Sequence, residues 1–119
     1  MSYVDGFLLA VPKDKIEDYK KMAKLGSEVW TGHGALAYVE CLADDVPYGE
    51  VTSFPRAVQA KEDETVVFAW IVYKSREDRD EVNKKVMDDP RMQVWMDKMP
   101  FDGKRMIFGG FKPFLEVGR

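Results

Sequence analysis

At 119 residues, with 45% apolar and 33% charged side chains, the chain is long enough to bury one core and too short to divide into two independently folding units. No stretch approaches the roughly 18–20 apolar residues of a membrane span. A net charge of −3, with basic residues interleaved among acidic ones, excludes the concentrated Lys and Arg face that nucleic acid demands.

Tyr3 to Val11 is rich in large apolar residues and stops at Pro12, which predicts a first strand. Asp14 with Glu17 three positions on predicts a capped helix start, and Ile16, Tyr19, Met22, Ala23, Gly26, Val29 and Trp30 recur on one helical face. Gly32-His33-Gly34 ends that helix, and Ala35 to Ala43 reads as a second strand before an Asp44 to Ser53 loop. Phe54 to Ala60 and Thr65 to Tyr73 read as two further strands joined by the charged Lys61 to Glu64. Ser75 and Asp78 predict the cap of a second helix carried by Val82, Val86 and Met87, broken at Pro90. Pro90 to Met99 is expected to be a separate short helix, and Arg105 to Leu115 a last strand.

The order predicts an α+β, ferredoxin-like βαββαβ domain spanning residues 1–119, with an antiparallel sheet carrying an extra strand and helices on one face. Thr65 to Tyr73 places Val66, Phe68, Trp70 and Val72 on one face and Val67, Ala69, Ile71 and Tyr73 on the other. A half-solvated strand should alternate apolar with polar, so both faces of this one expect cover. The helices supply one cover; a second copy of the chain supplies the other, which predicts a homodimer. Residues 1–12 carry neither a basic leader nor a small-residue cleavage site. The single cysteine, Cys41, forbids an internal disulfide and a multi-cysteine metal site, so a cytoplasmic location is expected.

Several segments carry a resemblance that extends over the whole chain: Tyr3-Val4-Asp5-Gly6-Phe7, Val39-Glu40-Cys41, Asp44-Asp45-Val46-Pro47, Val67-Phe68-Ala69-Trp70, Asp89-Pro90-Arg91-Met92 and Met99 through Phe111. They resemble the YbaA-like bacterial family of unknown function, placed in the dimeric α/β-barrel superfamily. That resemblance implies two sheets packed face to face in a dimer with the helices outside. It leaves the chemistry open, and whether the protein is an enzyme is not legible in the sequence.

His33, the only histidine, is the natural general acid or base, although its glycine neighbours place it more simply in a helix-ending loop. Cys41 reads as a small buried apolar residue. Asp5, Glu40 and Arg105 are charges inside apolar strands, and burying a charge costs several kcal/mol unless it is paired or serves a site. If the first and last strands are neighbours, Asp5 or Asp102 is placed to pair with Arg105. Asp44-Asp45 and Asp88-Asp89 lack the spacing of a cation loop, so no metal is expected. Arg91 stands at a helix corner where it can reach an anion, and Gly109-Gly110 indicates a bulge or close backbone approach. No cofactor motif is found.

Trp70, Met92, Trp95, Met96, Met99, Phe101 and Phe108 are candidates to wall an apolar pocket between the sheet and the Pro90 to Met99 helix, with Asp5, Glu40 and Arg91 as polar contributors. Two function classes follow: a binder of a small hydrophobic molecule, or cofactor-free enzyme, using that pocket, and a non-catalytic dimeric protein-interaction module.

Overall fold

The computed structural model describes residues 2–118. Four strands, β1 (Tyr3–Pro12), β2 (Ala37–Leu42), β3 (Glu64–Tyr73) and β4 (Ile107–Phe111), pair antiparallel in the order β2-β3-β1-β4. This is the ferredoxin-like arrangement, with the first and last strands adjacent as that order requires. Between the strands run α1 (Ile16–Gly32), α2 (Phe54–Ala57), α3 (Arg76–Met87) and α4 (Pro90–Met96).

Register separates the two sheet faces. Asp5 pairs with Ile71, and Ile71 with Tyr38, so these residues share the helix-covered face with Phe7, Ala69 and Glu40. Against this face α1 packs Tyr19 and Val29, and α3 packs Val82 and Val86. Val29, Val86 and Tyr73 are fully buried, a contribution of about 1.5–3 kcal/mol for each aliphatic side chain.

The opposite face is covered only at one end, where Val58, Ala43 and Ala60 pack on Leu8, Ala10 and Val66. Beyond that end Phe68 is 46% exposed, Ile107 47% and Phe111 64%. The doubly apolar pattern of β3 therefore corresponds to two unlike faces, one sealed by helices and one largely open.

Three local expectations change. Phe54 to Ala60 is not a strand: Ser53 accepts from the Arg56 amide at 3.2 Å, Pro55 suits a first helical turn and cannot donate to a ladder, and α2 forms instead. Among the described residues the sheet consequently has four strands and no extra one. Asp14 and Glu17 form no capping box, because Lys13–Lys15 make a 3₁₀ turn and α1 starts at Ile16 without a side-chain cap. The last strand is shorter than Arg105 to Leu115, since Gly103–Arg105 is a 3₁₀ turn capped by Asp102 and β4 spans Ile107–Phe111.

Candidate functional site

A cavity of about 430 Å³ lies between the helix-covered sheet face and helices α1, α3 and α4. Its wall contains Met22, Met87, Met92, Met96, Met99 and Met106, every methionine among the described residues. Thioether side chains are unbranched and polarizable, so they fit irregular apolar shapes and make favourable contacts with aromatic rings. Phe7 and Phe108 stack across neighbouring strands with centroids 6.5 Å apart, and Trp30 and Trp95 complete the apolar lining.

Charged and polar groups enter this lining at two places. On β2, Glu40 accepts hydrogen bonds from the phenols of Tyr19, on α1, and Tyr38, at 2.8 Å from the latter. Burial first, and the Glu40 charge second, push both phenols above the usual tyrosine range. On β1, Asp5 is buried with its carboxylate 3.7 Å from Arg79 Nε of α3. Burial raises the Asp5 carboxyl above its ordinary value, against the opposing pull of Arg79 and the polar groups of Tyr73 and Asn83. Asn83 Oδ1 accepts from Trp30 Nε1 at 3.2 Å and Tyr73 Oη at 3.3 Å. Arg79 Nη2 donates to Tyr3 Oη at 3.0 Å, and the guanidinium lies over the Tyr3 ring. Its Nε is buried and has no hydrogen-bond partner among the described residues.

Each polar group sits over a glycine. A Cβ on Gly26 of α1 would stand 2.7 Å from Tyr38 Oη, and one on Gly110 of β4 would stand 2.6 Å from Arg79 Nη2 and overlap Tyr3 Oη. The Gly109-Gly110 pair continues the β1–β4 register without a bulge. Its role is the close approach of side chains from β1 and α3.

Of the residues singled out by sequence, Asp5, Glu40, Met92, Trp95, Met96, Met99, Phe101 and Phe108 line this cavity. Trp70 does not: it pairs with Gly6 and Val39 on the opposite sheet face. Arg91 is not free for an anion, because its Nε and Nη2 donate to Asp89 at 3.0 and 2.7 Å. His33 lies beyond the end of α1 with Nε2 2.9 Å from Asp89 Oδ2, tying that end to the α3–α4 corner. Arg105 pairs with Asp102 and Glu64 rather than Asp5, away from the cavity. Tyr19, Tyr38, Arg79 and Asn83 were not anticipated. In sequence they are ordinary members of helical or strand stripes, and only the packing of α1 and α3 brings them together.

The family described as "Protein of unknown function (DUF1428)" matches residues 2–103. This chain belongs to that family. It is 53% identical over 116 residues to the uncharacterized protein YbaA of Escherichia coli, covering 98% of this chain and 99% of that protein, and equally similar to YbaA of Shigella flexneri. Among solved structures, a putative antibiotic biosynthesis monooxygenase from Nitrosomonas europaea is similar with a TM-score of 0.65 at 16% identity, covering 98% of this chain and 94% of that one. SnoaB, a cofactor-independent oxygenase from Streptomyces nogalater, gives 0.56 at 10% identity over 99% and 98% of the two chains. A dimeric ferredoxin-like protein from an uncultured marine organism gives 0.59 at 12% identity, over 98% of this chain and all of that one. These likenesses establish the family and the ferredoxin-like fold. No helix among the described residues is long and apolar enough to cross a membrane.

Proposed function

We propose that this protein binds a small, largely apolar organic molecule in the cavity between its sheet and helices, and does so as a homodimer joined through the open sheet face. The observation that carries the reading is the cavity itself: about 430 Å³, walled by methionine and aromatic side chains, with a few charged groups brought in from β1, β2 and α3. That size and lining suit small-molecule recognition, where apolar walls supply affinity and a few polar groups fix orientation. Asp5, buried and with its carboxyl pushed up, is the group in the cavity suited to exchange a proton with a bound molecule. Cofactor-free chemistry of this kind also fits the description of SnoaB as a cofactor-independent oxygenase. The dimer is supported by the apolar side chains of Phe68, Ile107 and Phe111 and by the dimeric ferredoxin-like relative.

Native mass spectrometry of the protein purified from its own host tests both parts together. A dimer carrying a defined extra mass is expected. A dimer that stays empty, and that takes up no apolar probe added in excess, would sink the pocket reading and favour a non-catalytic dimeric protein-interaction module; a monomer would sink the assembly.

A further inference from the structure

Among the described residues three charged side chains line the cavity, and their charges do not cancel. Asp5 and Arg79 face each other at 3.7 Å. Glu40 lies diagonally across β3 from Asp5, two strand spacings over and two residues along, or about 12 Å away. It has no basic partner within ion-pair distance among the described residues. Its two oxygens accept from neutral phenols, which orient the carboxylate without neutralising it. Glu40 is half-buried, so its charge is only partly solvated and gains from a cationic partner brought into the cavity.

The surroundings of Glu40 are aromatic. Tyr19 meets Phe101 edge to face at 5.8 Å, and Tyr38 lies 6.0 Å from Trp30. All four rings line the cavity. Ring faces carry negative electrostatic potential and attract cations, most strongly where water is excluded. A carboxylate set among aromatic rings repels an anion, leaves a neutral group with nothing to offset the charge, and matches a positive head group.

We infer that the Glu40 end of the cavity is a subsite for an organic ammonium group. The ligand is then an apolar amine, protonated at neutral pH, with its head beside Glu40 and its body against the methionine wall. The carboxylate's remaining lone pairs accept from the ammonium N–H groups while Tyr19 and Tyr38 hold it in place. This assignment rests on the cavity being the binding site, and it narrows the ligand to one class.

The test uses two probes of nearly equal shape, 4-phenylbutylamine and 4-phenyl-1-butanol, titrated at pH 7 into the intact protein by calorimetry, with the fluorescence of Trp30 and Trp95 as a second signal. The amine is expected to bind at least about tenfold more tightly than the alcohol. Glu40→Gln should abolish that preference and leave the alcohol's affinity within about twofold, since the amide retains the shape, accepts from one phenol through its oxygen and donates its NH2 to the oxygen of the other. Glu17→Gln, at a glutamate 84% exposed on α1, should leave the preference intact and so controls for general attraction to an acidic protein. Equal binding of the two probes to the wild type, or a preference that survives Glu40→Gln, overturns the ammonium assignment while leaving the cavity as a binding site. Absence of binding by both probes overturns the cavity reading as well. If Glu40→Gln does not fold, the wild-type preference with Glu17→Gln as control decides the question.

Discussion

Arg105 is held from three directions. Its Nη1 and Nη2 donate to the two oxygens of Glu64 at 2.8 and 2.7 Å, Nη1 also donates to the Gln59 carbonyl at 2.8 Å, and Nε donates to Asp102 at 2.9 Å. This ties the start of β3, the end of the 54–60 segment and the approach to β4 into one polar clamp. The Arg105 guanidinium holds the Glu64 carboxyl at about 2, well below its ordinary value of 4.5. A depressed folded-state value stabilises the native state above pH 4.5, and this contribution disappears as pH falls toward 2. Arg105→Gln should therefore lower stability over the neutral range, with the difference from wild type closing between pH 4.5 and 2 in urea titrations. Asp5 has the opposite sign. Its folded-state value is raised, so ionisation disfavours the native state above the ordinary 3.8, and Asp5→Asn should be more stable than wild type at pH 7 and equal to it in acid. A gain on removing a charge would mark Asp5 as a residue retained for the cavity rather than for folding. The sequence offered Asp5 or Asp102 as the partner of Arg105 if the first and last strands are neighbours, and the structure takes Asp102; Glu64, 41 positions away, was not legible.

At the scale of elements, α1 shows how a glycine can be required within a helix. Gly→Ala in an exposed helix interior ordinarily gains about 0.5–1 kcal/mol. Gly32→Ala, with nothing within 4 Å of the new methyl group, should gain about 0.5 kcal/mol. Gly26→Ala should lose about 1–3 kcal/mol instead, because the methyl group meets Tyr38 Oη and displaces it from Glu40. Thermal melts of the two variants should thus move in opposite directions. Ser75→Ala removes the side-chain acceptor for the Asp78 amide at the start of α3 and should cost about 1 kcal/mol. That cap was legible because Ser75 directly precedes a helical stripe. The Phe54–Ala57 helix was misread as a strand because its apolar residues have no period long enough to tell helix from strand, and Ser53 with Pro55 decides the matter.

At the scale of the whole molecule, α1, α3 and α4 occupy one side of the sheet, and the other side is open beyond the end that α2 and Val58 cover. Phe111→Asp places a charge within the proposed partner contact, where it would be desolvated in a dimer and solvated in a monomer. Light scattering should report a dimer for wild type and a shift toward monomer for this variant, with unchanged circular dichroism. Val94→Asp, at a residue 70% exposed on α4 in the helical layer, should leave the assembly intact. A wild-type monomer would contradict the reading.

The sequence by itself determined the order of the four lasting strands, the two long helices, the break at Pro90 and the apolarity of both faces of β3. These are consequences of local periodicity and of residues that stop an element. Only the tertiary structure decided which face the helices cover, and hence that Asp5 and Glu40 enter the cavity while Trp70 turns away from it. Only packing decided that Arg79, Tyr19, Tyr38 and Asn83 meet those carboxylates. The reason is physical: periodicity records that a side chain lies on a face, whereas the partner across that face comes from another element, and its identity depends on register and packing.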